Sequence, residues 1–286
     1  MYKILTKKVL NPTVVLMEID APLVAKKAEP GQFIILRTDE DGERIPLTIA
    51  DFDRKKGSVT IIFQIVGGTT YKLSKMEKGE YLHDFVGPLG KATHTDGIKK
   101  VAVVGGGVGC AIAYPVAKKL HSLGCEVHAI CGFRNRDLVI LEKEFKNASS
   151  KFVLMSDDGS AGDKGLVTDA LKKLIESGEK YDEVITIGPL PMMKFVCLLT
   201  KEYGIKTVAS MNPIMIDGTG MCGGCRLSVG GKTVFACVDG PEFDGHLIDF
   251  DEAMSPSNLY GDFEKHKYEE ACNLFKKAEK SNGEVK

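Results

Sequence analysis

The chain of 286 residues lacks an excess of positive charge: 38 Lys and Arg stand against 39 Asp and Glu, a formal charge of −1. A protein that lives on phosphate contacts with nucleic acid carries a basic surplus, so a nucleic-acid partner is excluded from the expectations. A long apolar run is missing too. The longest uncharged stretch, Val101 to Ala117, is broken by four glycines and Pro115. It falls short of the roughly 20 apolar residues of a spanning helix, so no membrane span is expected. The N-terminus, MYKILTKKVL, lacks an apolar core region and a small-residue cleavage site, which makes the cytoplasm the expected location. Cysteine is scarce, with eight in the chain, too few for a disulfide scaffold. Three of them, Cys222, Cys225 and Cys237, nevertheless crowd into one short stretch. In a reducing compartment that crowding points to a metal.

What is present is enough for a packed core: 43% of the residues are apolar and 27% charged, in a chain long enough for about two domains. From Tyr2 to about Gly90, short runs of β-branched and apolar residues alternate with turn signals: YKILTKKV, TVVLMEID, QFIILRT, RIPLTIAD, SVTIIFQIV and EYLHDFV. Strands at this spacing predict a closed barrel or sandwich. Near Lys99 the rhythm changes to strand then helix, starting with VAVVGG before CAIAYPVAKKLHSLG and ending with EVITIG before PLPMMKFVCLLTKEYG. That alternation predicts a parallel sheet covered by helices. A Gly- and Cys-rich section follows, with a hairpin expected at CRLSVGGKTVFAC about Gly230-Gly231. The expected units are a β barrel over 1–97, an α/β domain over 98–210, a small section over 211–250 and a helical tail over 251–286. In the tail Phe263, Tyr268, Ala271, Cys272 and Phe275 fall loosely on one face.

Three segments carry chemistry. Val101-Ala-Val-Val runs into Gly105, Gly106, Gly107 and Gly109; glycines at a strand-to-helix turn let the backbone approach a ligand, and free helix N–H groups favour phosphate oxygens. Cys110 takes the last place of the G-x-G-x-x-G/A spacing, where it is either a cofactor contact or a small core residue. Arg44-Ile45-Pro46-Leu47-Thr48 places a cation, a rigid residue and a hydroxyl within five positions. A flavin requires such a set, a charge for its pyrophosphate and a donor near its reactive N5 edge; alone, the segment reads as a surface Arg beside an edge strand. Val66-Gly67-Gly68-Thr69-Thr70 offers a second anion site, with Thr69 or Thr70 expected to cap a short helix. Arg134 and Arg136 follow the second α/β strand, where an adenosine 2′-phosphate would lie, without deciding between NAD and NADP.

The ordered set RIPLTI, VGGTTYKLS, GPLG, VVGGGVG, DDGS and GPLPMM resembles the ferredoxin-NADP reductase superfamily. More narrowly it resembles the electron-transfer subunits of two-subunit flavoenzymes, among them that of dihydroorotate dehydrogenase. The resemblance covers about residues 2–250. It implies FAD in the barrel, held by Arg44, Pro46, Leu47, Thr48, Gly67, Gly68, Thr69 and Thr70, with Thr48 nearest the chemistry. Thr69 stands where relatives often carry glycine. It implies NAD(H) on the α/β domain, at Gly105, Gly106, Gly107, Gly109, Arg134, Asp157, Asp158, Gly188, Pro189 and Met192.

In the cysteine section, Cys222-x2-Cys225-x11-Cys237 is preceded by Asp217 at the place where a plant-type iron–sulfur loop has its first cysteine. Asp217, Cys222, Cys225 and Cys237 are therefore the expected ligands of a [2Fe–2S] cluster. A structural zinc site with Asp217 or His246 as fourth ligand, and unligated thiols, are the competing readings. The aspartate narrows the resemblance to the small subunit of the NADH-dependent reduced ferredoxin:NADP oxidoreductases, electron-bifurcating enzymes whose relatives are also described as sulfide dehydrogenases. The resemblance implies a larger flavin and iron–sulfur partner subunit, with ferredoxin reached through it. The alternatives are a dihydroorotate or sulfide dehydrogenase subunit and, in another class, a zinc-stabilised redox-sensing module without catalysis.

Overall fold

The computed structural model describes residues 1–257; the amphipathic stretch from Asp262 to Lys286 lies outside the described residues, and with it most of the expected tail. The N-terminal strands are β1 (Tyr2–Asn11), β2 (Val14–Asp20), β3 (Phe33–Arg37), β4 (Ile45–Asp53), β5 (Ser58–Gln64), β6 (Tyr81–Leu82) and β7 (Asp84–Leu89). They pair antiparallel in the order β6-β1-β2-β5-β4-β3-β7. β6 and β7 end opposite edges of this sheet, yet only His83 separates them in the chain. The sheet therefore curls back on itself into a near-closed barrel, which leaves few open edges. Alternate residues of β2, Val15, Met17 and Ile19, point inward to Ile34, Leu36, Ile49, Ile61 and Phe85, as the two-residue period of a strand requires. Helices α1 (Pro22–Lys27) and α2 (Gly68–Lys75) add Val24, Ala25 and Leu73 to that core.

The second sheet is built from β8 (Lys100–Gly106), β9 (Glu126–Phe133), β10 (Lys151–Ser156), β11 (Asp163–Lys164), β12 (Glu183–Ile187) and β13 (Thr207–Ser210). Helices α3 (Gly109–Ser122), α4 (Glu142–Asn147), α5 (Val167–Glu176) and α6 (Leu190–Glu202) connect them. The strands run parallel in the order β11-β10-β9-β8-β12-β13. Both faces are covered, so β8 reads as a continuous apolar run, with Val101 and Val103 in one core cluster and Ala102 and Val104 in another. α5 docks with Val167, Ala170 and Leu171, the spacing of one helical face.

The remaining chain forms β14 (Arg226–Val229), β15 (Lys232–Phe235), α7 (Ala236–Asp239), β16 (Glu242–Asp244) and α8 (Phe250–Ser257). The expected hairpin is present: Val229 faces Lys232, and Gly230 and Gly231 both take positive φ, 59° and 73°, as a tight two-residue turn demands. β16 returns to the parallel sheet as an antiparallel edge strand beside β13.

Two shared cores lock these parts together. Val14, Ala50 and Ile62 face out of the barrel and pack in one cluster with Ala111, Ala113 and Val116 of α3. Phe33 and Ile35 of β3 join Met193 and Cys197 of α6 and Met211, Met215, Cys225 and Cys237 in a second. The cysteine section is thus wedged between barrel and parallel sheet.

Candidate functional site

The carboxyl ends of β8 and β12 open toward the barrel, and the space between is a continuous cleft of about 1350 Å³. A single small-molecule pocket holds roughly 300–1,000 Å³, so this cleft has room for two extended cofactors meeting end to end.

On the barrel side the cleft is lined by Arg44, Pro46, Leu47, Thr48 and Thr70. Thr48 lies opposite Phe33 in the β3–β4 pair, and its hydroxyl has no partner among the described residues. Arg44 donates from Nε to the Ile216 carbonyl at 2.8 Å; its nearest carboxylate, on Asp84, is 3.9 Å from one terminal nitrogen and already receives Arg37 Nε at 2.8 Å. Most of the guanidinium fork is therefore open to an anion, the geometry that suits a phosphate. The expected cap on α2 takes a different form. Gly67 is the cap residue, and Thr70, three positions on, accepts at Oγ1 from the N–H groups of Val66 and Gly67, both at 3.0 Å. The Thr69 hydroxyl is buried and donates to Glu43 at 2.8 Å. A glycine cap has no side-chain acceptor, so the threonine reaches back instead. Gly67, Gly68 and Thr69 shape the turn without lining the cleft.

On the nucleotide side Gly106, Gly107, Gly109, Arg134, Asp157, Gly188, Pro189 and Met192 line the same cleft. Added to the barrel residues, they bring most of the expected cofactor contacts into one space. Gly107 sits at φ 55° and a side chain there would meet open space, whereas at Gly109 a Cβ would lie 2.5 Å from the Ile187 carbonyl. The last glycine of the turn is thus required for helix-to-strand contact, as in dinucleotide-binding turns. Gly105 faces inward instead, against Cys110. Cys110 has no exposed surface, and Cys125, Cys131 and Cys197 are buried as well, so all four sit as small core residues. The exposed Arg134 guanidinium has no ion-pair partner among the described residues, whereas Arg136 is paired with Glu142 at 3.1 Å. Asp158 turns away from the cleft to accept from Ser160 N–H and Oγ at 2.9 and 2.6 Å.

Several lining residues went unnamed in the sequence reading. Phe33, Pro241 and the run Met211, Asn212, Pro213, Ile214, Met215 and Ile216 form one wall. The available signal was position: that run leaves the carboxyl end of β13, where ligands of open α/β sheets lie.

The cysteine loop begins where this wall ends. Both Asp217 oxygens accept backbone hydrogen bonds, one from Thr219 N–H and one from Cys222 N–H, the latter at 2.7 Å. Those bonds, the one from Thr219 foremost, bring its pKa down to about 2. Cys222 is exposed, while Cys225 and Cys237 are buried, and Cys237 N–H points at Cys225 Sγ at 3.4 Å. Burial, with Cys225 beside it, pushes the Cys237 thiol up to about 12. Its thiolate therefore needs a cation for stability, as metal-ligating cysteines do. Asp217, Cys222 and Cys225 on the loop before β14, with Cys237 in α7 after the hairpin, form a donor set whose chemistry suits iron. His246 is engaged elsewhere: its Nε2 lies 3.0 Å from the Thr200 hydroxyl. Another donor group, Glu126, His128 and Glu179, has Lys100 between its carboxylates at 2.8 and 2.5 Å and is an ion-pair network.

Among the described residues no helix is long and apolar enough to cross a membrane. Residues 212–249 match the iron-sulfur cluster binding domain of dihydroorotate dehydrogenase B. The dihydroorotate dehydrogenase B (NAD(+)) electron transfer subunit homolog of Thermotoga maritima is 46% identical over 88% of this chain and 88% of its own length. A chain in the structure of the NADH-dependent reduced ferredoxin-NADP oxidoreductase, studied for flavin-based electron bifurcation, superposes with a TM-score of 0.90. It is 42% identical, over 94% of this chain and 97% of that one. A ferredoxin NADP+ reductase from Neisseria gonorrhoeae with bound FAD and NADP shares the fold, at 15% identity and a TM-score of 0.58, over 71% of this chain and 90% of that one. The cofactors expected from the sequence, FAD, a [2Fe–2S] cluster and NAD(H), agree with these likenesses. The fold, the iron–sulfur section and the extent of identity converge: the chain belongs to the electron-transfer subunit family of dihydroorotate dehydrogenase B, on a ferredoxin-NADP reductase-like fold.

Proposed function

We propose that the chain is the NAD(H)-binding electron-transfer subunit of a flavin-based, electron-bifurcating enzyme of the NADH-dependent reduced ferredoxin-NADP oxidoreductase type. The observation that carries this reading is the 42% identity and TM-score of 0.90 across 94% of the chain. In this reading residues 1–97 hold FAD, 98–210 hold NAD(H) and 211–250 hold the cluster on Asp217, Cys222, Cys225 and Cys237. Bound FAD supplies exchange of electron pairs with NADH, and the cluster supplies single-electron transfer.

The chain's own residues bind and orient. Arg44 offers its open fork to the flavin pyrophosphate, beside the amino end of α2. Thr48 places a free hydroxyl on the cleft wall, where it positions the reacting edge of the flavin. Gly106 and Gly107 let the nucleotide approach the backbone, Gly188 and Pro189 form the facing side, and Arg134 and Asp157 lie at the adenosine end. The run from Met211 to Ile216, apolar except for Asn212, lines the cleft next to the cysteine loop and would offer a largely apolar surface to a bound cofactor. Onward transfer falls to a larger partner subunit with its own flavin and clusters, and ferredoxin is reached through that subunit.

The test is anaerobic purification from the native source with identification of what co-elutes, followed by assay of the separated chain. The reading expects NADH oxidation with an artificial acceptor by the chain alone and ferredoxin reduction only with the partner. Ferredoxin reduction by the single chain refutes it. The 46% identity to the Thermotoga subunit favours a second reading, in which the partner oxidises dihydroorotate; the identity of the co-eluting subunit decides between them.

A further inference from the structure

Arg44 lines the cleft and also reaches the segment that leads into the cysteine loop. Its Nε donates at 2.8 Å to the carbonyl of Ile216, the residue immediately before Asp217. The carboxylate of Asp217 in turn takes the N–H groups of Thr219 and Cys222. Arg44 thus anchors the residue next to the acid that orders the loop carrying the first thiol of the cysteine section. Most of the remaining guanidinium donors face the cleft, since Asp84 stands 3.9 Å away and is held by Arg37 and His83 at 2.8 and 3.1 Å. At Gly218, φ 82°, the loop also meets the barrel, where a Cβ would come within 2.6 Å of Leu89 and 3.0 Å of Ile35, beside the core that Cys225 shares with Ile35. That contact is apolar and carries no information about what occupies the cleft.

From this geometry we infer that Arg44 is a positioning residue for the cluster loop, and that it links occupancy of the flavin site to integrity of the iron site. A planar guanidinium can hold a carbonyl on one edge and a phosphate on the other, and fixing one edge fixes the other. With the phosphate in place the arginine is ordered and Ile216 is held; without it the side chain can rotate away and release the carbonyl. Two ligands that each bind better when the other is present are thermodynamically coupled, and the coupling is reciprocal. The inference rests on the reading that this chain binds FAD and iron.

The experiment uses the full-length holoprotein, purified anaerobically. FAD is stripped at high salt, and iron release to a coloured ferrous chelator is followed with and without FAD added back, in wild type, Arg44→Ala and Arg44→Lys. In wild type, stripping FAD is expected to speed iron release about tenfold, equivalent to about 1.4 kcal/mol, and FAD alone is expected to restore the slow rate. Arg44→Ala is expected to release iron fast even at saturating FAD, with a shifted electron paramagnetic resonance spectrum of the reduced cluster. Arg44→Lys, a point donor without a fork, is expected to recover part of both. Iron release indifferent to FAD in wild type overturns the inference, as does an FAD-loaded Arg44→Ala protein with wild-type release and spectrum. A wild-type chain that takes up neither FAD nor iron overturns the proposed function itself, which these outcomes keep separate.

Discussion

The carboxylate of Asp217 and the backbone N–H of Cys222 are joined by a hydrogen bond of 2.7 Å, across the turn that presents the first thiol of the iron loop. The acid therefore shapes the loop that leads to Cys222. If Asp217 ligates iron, Asp217→Ala should make the cluster labile, while Asp217→Cys should keep it and lower its potential, because ligand type tunes iron–sulfur centres. Iron analysis and a redox titration followed by paramagnetic resonance check both. An Asp217→Ala protein with full iron content and unchanged potential would mean that the aspartate only closes the turn.

Arg44 is the cation that the barrel contributes to the lining of the cleft, and in the proposed function it faces the flavin pyrophosphate. Arg44→Ala should remove a charge-assisted contact worth about 1.5–3 kcal/mol, which weakens FAD binding by about 10- to 150-fold. Acid extraction and chromatography should recover FAD from the wild type, since two anion-binding features suit a pyrophosphate. Recovery of FMN alone contradicts the assignment.

The glycine turn allows a sharper contrast between binding and folding. A Cβ at Gly106 would meet Met192 Sδ at 2.3 Å and Pro189 at 3.1 Å, and the methionine is flexible enough to swing aside into the cleft. Gly106→Ala should thus raise KM for NADH with little change in Tm. At Gly109 the obstacles are backbone, the Ile187 carbonyl and Gly188 Cα at 2.5 and 2.6 Å, which cannot yield. Gly109→Ala should lower Tm and impair nucleotide binding together. Equal effects of the two substitutions on Tm contradict this account.

Glu242 of β16 carries a pH signature of the seam between barrel and sheet. Thr93 Oγ1 donates to its carboxyl at 2.7 Å, a Cβ at Gly31 would lie 3.1 Å from the same oxygen, and burial pushes the acid up to about 7. Between about pH 4.5 and 7 the folded chain keeps a proton that the unfolded chain has released, so stability falls as pH rises through that window. The contribution is on the order of 1–3 kcal/mol. Glu242→Gln keeps an acceptor for Thr93 and should flatten the dependence of Tm on pH over this range. A variant whose profile parallels the wild type contradicts the assignment.

Much of this architecture was legible because it rests on local signals. The β-branched runs closed by turns map onto the barrel strands, and VAVVGG running into CAIAYPVAKK maps onto β8, its glycine turn and α3, because period and turn chemistry are written residue by residue. What escaped depends on contacts far apart in sequence. β16 is only three residues long, and nothing in EFD says that it pairs with β13 rather than with the hairpin beside it. The wall from Met211 to Ile216 is mostly apolar but aperiodic, so its role follows from the cleft it lines. Thr69 and Thr70 are equivalent in the sequence, yet the barrel gives one to Glu43 and the other to the start of α2.

The most direct test of the central claim is the optical and chemical composition of the anaerobically purified chain before and after addition of NADH. The account expects a brown protein with about one FAD and about two irons per chain, whose flavin band bleaches with NADH while a reduced [2Fe–2S] signal appears in paramagnetic resonance. A colourless protein that holds zinc in place of iron, or a flavin that NADH leaves oxidised, would contradict it.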